Sequence, residues 1–134
     1  MNLHPPLRPA LLVRRYKRFL ADVRLSDGTE LTLHCANTGA MTGCSSPGME
    51  VWYGTSANPK RKYAHSLEVV CTPLGRVGVN TALANPLVAE ALAQDRLPPL
   101  SGYTSVRREV RVPDGDARLD FCLDGPAGRC WVVV

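Results

Sequence analysis

No apolar run in the sequence approaches the ~20 residues a membrane-spanning helix needs, so no membrane partner is expected. The first residues, Met1 to Pro6, show no basic segment followed by an apolar core. No secretory signal is read there, and a cytoplasmic location is expected. The five cysteines (Cys35, Cys44, Cys71, Cys122, Cys130) are odd in number and none is spaced C-x-x-C. That speaks against a disulfide framework and a zinc ribbon, and buried reduced thiols are expected instead. His34, Cys35 and Cys44 fit no common metal spacing. There is no Ser-His-Asp or Cys-His arrangement and no Walker loop. The glycines between 39 and 48 lack both the dinucleotide spacing and a strand–glycine–helix context.

What is present begins with charge. The chain of 134 residues has a formal net charge of +4, and the excess lies wholly in residues 1–80, which hold 10 Lys/Arg against 5 Asp/Glu. A basic half of this kind suits a polyanion, with nucleic acid as the first candidate, against a merely solvated basic surface. The length allows one ordinary domain, or a small domain plus a fragment of another.

The stretch from His34 to Gly48 is rich in glycine and carries Asn37, Thr38 and Pro47, so it is a loop between strands. Residues 1–10 are proline-rich and expected to be extended. From Phe19, apolar residues alternate with polar ones (Phe19, Ala21, Val23, Leu25), which predicts a half-buried strand with Phe19 in the core. Ser26-Asp27-Gly28-Thr29 is a hairpin turn. Glu30 to Cys35 returns as a strand, Glu50 to Thr55 is another, Lys60 to Cys71 a longer one, and Val77 to Asn80 a short one. Five strand signals without a helix predict a small antiparallel barrel or sandwich, and the pattern alone does not select an oligonucleotide-binding (OB) barrel.

The period changes at Thr81. Thr81 to Gln94 is the one convincing helix, with Asn85 as its expected cap and Pro86 in its first turn. Strands follow at Tyr103 to Val112, Ala117 to Leu123 and Cys130 to Val134. The last is wholly apolar and expected to be buried on both faces, as in the middle of a domain. Its apolar character makes dimerisation or aggregation an expectation too.

Two groupings carry chemistry. Arg14/Arg15/Lys17/Arg18 and Lys60/Arg61/Lys62 flank the glycine-rich loop, with Tyr16, Phe19, Trp52, Tyr53 and Tyr63 interleaved. Cations neutralise phosphates and aromatic faces stack on unpaired bases. Tyr16 and Tyr63, inside the charge runs, are the better stacking candidates. Asn37, Thr38, Gly39 and Gly43 offer short side chains and backbone N–H groups to a phosphate. The second grouping is acidic: Glu90 on the helix, Glu109 on one strand and Asp120 on the next. Carboxylates converging in this way can hold Mg²⁺ for phosphodiester cleavage, and Glu90 reads equally as a solvated helix residue.

Several motifs in order resemble the SfsA (sugar fermentation stimulation protein A) family. They are Arg15 to Val23, His34 to Cys44, Pro47-Gly48, Val51-Trp52, Asn58 to Tyr63 and Val77 to Thr81, and the likeness runs from about Arg14 to Cys130. The resemblance implies an α+β chain: a five-stranded OB-like β-barrel over residues 1–80 that binds DNA, then a partial PD-(D/E)XK nuclease-like half-domain of helix–strand–strand–strand over 81–134. It also implies a link to the regulation of sugar, particularly maltose, metabolism, although no residue pattern here marks a sugar site. In the nuclease-like pattern the helix glutamate falls on Glu90 and the Arg-x-Asp-Phe strand on Arg118-Leu119-Asp120-Phe121. The family's next strand reads Glu-Val-Lys, where this chain has Val133 and Val134. The expectation is therefore a C-terminally truncated member in which Glu90 and Asp120 are vestigial. Asp120 is a metal ligand, and Mg²⁺ a cofactor, only in a full-length relative. No cofactor and no cleavage are expected for this chain; the alternative is a Mg-dependent DNA endonuclease.

Overall fold

The computed structural model describes every residue except His4 and Pro5, so that part of the proline-rich start lies outside the described residues. The chain divides into two compact units, Asn2–Ala82 and Leu83–Val134, the latter joined by Met1.

The first unit is a closed barrel. Its strands are β1 (Arg8–Tyr16), β2 (Leu20–Arg24), β3 (Glu30–His34), β4 (Glu50–Thr55) and β5 (His65–Thr72), and β6 (Gly75–Gly78) extends the sheet. The sheet order is β3-β2-β1-β4-β5-β6, and a parallel pairing of His34 with Ser66 joins β3 to β5 and closes it. Closure demands bent strands, and the ladder is irregular between Leu12 and Arg14 on β1 and between Trp52 and Tyr53 on β4. The alternating residues meet inside: Ala10, Leu12, Ala21, Val23, Leu33, Val51, Tyr53, Leu67 and Val70, with Cys35, Met41 and Val79 from the flanking segments. The β2–β3 turn takes the form its Asp-Gly predicts. Gly28 adopts φ 87, and the Asp27 carboxylate accepts from the Thr29 amide at 2.9 Å.

Three expectations for this unit need correction. β1 is a full strand, although its residues carry no strand signal beyond extension near the start. Pro9 is tolerated there because its pairing is with Trp52 of β4 only; the β2 ladder starts at Leu11. The strand expected from Lys60 begins at His65, and residues 56–64 form a loop closed by a Ser56 amide to Ala64 carbonyl bond of 2.8 Å. Phe19 is 41% exposed rather than in the core, because it belongs to the turn that links Tyr16 to Leu20.

The second unit holds α1 (Ala84–Ala93) and a sheet of β7 (Ser105–Arg111), β8 (Arg118–Gly125) and β9 (Gly128–Val132) in that order. Phe121, Cys122 and Leu123 of the central strand are fully buried. Cys122 is thus inside although it shares parity with the exposed Arg118. Thr81–Leu83 is a 3-10 turn, and Leu83 precedes α1 with no side-chain cap. Asn85 does not cap the helix; its amide donates to Asp120 Oδ1 at 2.7 Å. The last strand is an edge strand, not one buried on both faces: Cys130 to Val132 are half-buried, and Val133 is 70% exposed. No helix among the described residues is long and apolar enough to cross a membrane.

Candidate nucleic-acid interface

Strand pairing alone brings three separate segments to one end of the barrel. Leu20 pairs with His34, His34 with Ser66, and Thr55 with His65. The β1–β2 turn, the segment after β3 and the β4–β5 loop therefore start from adjacent rungs. The Cys35 amide donates to the Phe19 carbonyl at 2.7 Å and continues the ladder past β3.

On the β1–β2 turn, Lys17 and Arg18 both lie in the left-handed region, with φ 50 and 63. Non-glycine residues enter that region at a cost of about 1 kcal/mol each, so this turn holds local strain at two adjacent cations. Both are exposed, and Phe19 stands exposed beside them. Phe19 is an exposed aromatic of the candidate interface that strand periodicity assigns to the core; its position directly after a doubly basic turn is the signal that finds it.

The β4–β5 loop presents Lys60, Arg61 and Lys62, all exposed. Asn58 shapes it, accepting from the Lys60 amide at 3.0 Å and donating its own amide to Ser56 Oγ at 3.1 Å. Arg61 is steadied by a 3.2 Å bond to Ser66 Oγ, and the Lys62 ammonium lies 5.6 Å from the centre of the Tyr63 ring. At the loop's base, Thr55 Oγ1 and His65 Nδ1 are 2.9 Å apart, and His65 packs edge-on to Tyr53. Tyr53 itself is buried in the core and faces no ligand.

Arg14 and Tyr16 stand on the outer face of β1 next to Asp22 of β2. Asp22 accepts from Arg14 Nε at 2.9 Å, from the Tyr16 hydroxyl at 3.0 Å and from the Thr32 hydroxyl at 2.8 Å. Burial works against ionising Asp22, but the hydrogen bonds from Arg14, Thr32 and Tyr16 outweigh it and hold the carboxyl below its ordinary range. The Arg14 guanidinium covers the Tyr16 ring at 4.3 Å.

Arg15 behaves differently from its neighbours. Its Nη2 lies 2.9 Å from the Arg18 carbonyl oxygen and 2.8 Å from those of Asn37 and Gly39. Asn37 is also an internal fastener: its side-chain oxygen accepts from the Gly39 amide at 2.9 Å, an Asx turn. Thr38 and Gly39 are exposed at the tip. Cys35 is buried with its thiol 3.6 Å from Met41 Sδ, and among the described residues no three His, Cys, Asp or Glu side chains gather at one point.

The same absence of clustering holds for the acids of the second unit. Glu90, Glu109 and Asp120 are not brought into one group among the described residues. Glu90 receives the terminal amine of Met1 and Gln94 Nε2. Glu109 pairs with Arg118 at 3.5 Å. Asp120 accepts from the Val134 amide at 2.9 Å and from Asn85, and these two bonds hold its carboxyl below the usual range. With both oxygens of Asp120 engaged, and no group of three His, Cys, Asp or Glu side chains gathered among the described residues, the residues present do not fit a Mg²⁺ site.

Comparison with known proteins agrees with this architecture. Residues 13–79 match the family described as SfsA N-terminal OB domain, and residues 82–134 the one described as sugar fermentation stimulation protein RE domain. A sugar fermentation stimulation protein homolog of Magnetococcus marinus is 59% identical over 99% of the chain, which spans 56% of that relative. One of Shewanella baltica is 52% identical over the whole chain, which spans 58% of it. The solved structure of Pyrococcus furiosus SfsA in complex with Ca²⁺ superposes with a TM-score of 0.80 at 26% identity, over 99% of this chain and 55% of that one. The chain thus spans a little over half the length of these relatives.

Proposed function

The chain belongs to the sugar fermentation stimulation protein (SfsA) family, and from that premise we propose that its barrel binds DNA in the cytoplasm through the end where the β1–β2 turn and the β4–β5 loop meet. One observation carries this reading: Lys17, Arg18, Lys60, Arg61 and Lys62, from two distant segments, are all exposed on loops that leave adjacent rungs of the ladder. In OB barrels these two loops and the face of the second and third strands are where oligonucleotides bind. The cations neutralise phosphates and release counterions. Phe19 and Tyr63 supply ring faces for unpaired bases. Arg14 and Tyr16 extend the surface along the outer face of β1, and Asn37, Thr38 and Gly39 form its loop edge. A role in sugar metabolism rests on the family name alone.

The test is the salt dependence of binding. The triple variant Lys60→Ala, Arg61→Ala, Lys62→Ala is expected to weaken binding to a labelled oligonucleotide. It should also reduce the slope of log affinity against log salt by about 0.7–0.9 for each phosphate no longer neutralised. An unchanged slope sinks the assignment. No hydrolytic step is proposed, because Glu90, Glu109 and Asp120 do not gather as a group among the described residues.

A further inference from the structure

We propose that Arg15, in the middle of the first basic run, contacts no phosphate and instead is the positioning residue that holds the binding loops of the barrel in register. This role rests on the DNA-binding reading above and deepens it. The side chain is half-buried, and its Nη2 serves three carbonyl oxygens, of Arg18, Asn37 and Gly39, within 2.9 Å. Two hydrogens on that nitrogen are shared among three acceptors, so its donor capacity is spent on main chain. Its Nε is buried and has no hydrogen-bond partner among the described residues. A guanidinium placed in this way no longer presents the fork that Arg offers to phosphate.

What the clamp joins matters more than its strength. Arg18 lies on the β1–β2 turn, and Asn37 and Gly39 lie on the loop after β3. These are two segments of the interface, and among the described residues the Cys35–Phe19 rung is the other hydrogen bond that ties one to the other; the loop's further bonds run within itself, to Thr81 and to β1. Because the peptide unit is planar and trans, a carbonyl turned toward Arg15 turns the next residue's N–H away from it. The Thr38 and Ala40 amides therefore face away from the guanidinium, on exposed residues. Arg15 thus decides which side of the loop offers donors and keeps the strained Lys17–Arg18 turn against it.

The experiment compares Arg15→Lys and Arg15→Met with the unchanged chain. Two quantities are read: affinity for a labelled single-stranded oligonucleotide across a salt series, and amide hydrogen exchange of residues 35–44 against the core strands β4 and β5. Lys keeps the charge but lacks the planar donors. Both variants are expected to bind roughly tenfold more weakly with an unchanged salt slope, and to exchange faster in 35–44 while β4 and β5 stay protected. A slope reduced by about 0.7–0.9 with unaltered exchange makes Arg15 a direct phosphate contact and overturns the proposal. Faster exchange in loop and core alike also overturns it, since the role is then general stability. If the unchanged chain does not bind the oligonucleotide, the DNA reading fails, and the exchange measurement still decides whether Arg15 orders the loop.

Discussion

Arg14 and Asp22 face each other across β1 and β2, Nε to Oδ2 at 2.9 Å, and between them they fix Tyr16. The tyrosine ring lies under the Arg14 guanidinium, and its hydroxyl donates to the second Asp22 oxygen. One carboxylate thus sets the posture of two residues that the charge run alone marks only as basic and aromatic.

Asp22→Asn tests that arrangement. The variant keeps a single acceptor and removes the charge, so it is expected to lower barrel stability at neutral pH by about 1–2 kcal/mol. The folded carboxyl ionises below its ordinary value of 3.8. Its contribution is therefore present above that pH and lost as pH falls through and below it. Urea unfolding of both proteins from neutral pH to below 3.8 should show the gap narrowing as the pH falls; a gap of undiminished size across that range counts against the ionised Asp22 as the cause.

Lys17 and Arg18 should be better tolerated as glycine by the fold than by the function. Each single change, Lys17→Gly or Arg18→Gly, relieves a left-handed non-glycine residue and is expected to stabilise the barrel by up to about 1 kcal/mol. Each should weaken oligonucleotide binding and lower its salt slope. Thermal melts and binding isotherms on the same samples decide it, and a variant that gains both stability and affinity refutes a ligand-facing role for the turn.

Phe19→Ala separates stacking from packing. With 41% of the residue exposed, the change should cost the barrel little, about 0.5 kcal/mol. Removing a stacked base costs about 1–3 kcal/mol of binding, and the effect should fall on single-stranded rather than duplex DNA. Equal weakening on both would assign Phe19 no stacking role.

Gly125→Ala addresses the second unit. A Cβ there would lie 3.1 Å from Tyr103 Cα and 3.2 Å from the Gly102 carbonyl oxygen. Both are backbone atoms that cannot swing aside, so the expected cost is about 1–3 kcal/mol. Hydrogen exchange at Phe121 to Leu123 should accelerate while the β1–β5 core keeps its protection.

Much of the barrel is legible in the sequence. Alternation at Ala21/Val23, Leu31/Leu33/Cys35 and Val51/Tyr53 is a local consequence of the pleat, and the Asp27-Gly28 turn carries its own geometry. The cations of the proposed interface are legible too, since exposed charge needs no partner to be read. Local pattern misleads where a residue distant in sequence, or the turn itself, overrides it. Phe19 continues the parity of Ala21 and Val23 but sits in the turn. Asn85 has the chemistry of a helix cap, yet Asp120 takes its amide. Arg15 is indistinguishable in the sequence from Arg14 and Arg18, and only its carbonyl partners set it apart.

By itself, then, the sequence determined the strands β2 to β5, the one helix, the basic loops and the family, because periodicity, turn chemistry and motif are properties of neighbouring residues. Only the tertiary structure decided that His34 meets Ser66 to close the barrel, that two basic segments far apart in the chain share one end of it, and that Asn85 gives its amide to Asp120. Those are pairings between residues distant in sequence, and they exist only once the ladder has folded.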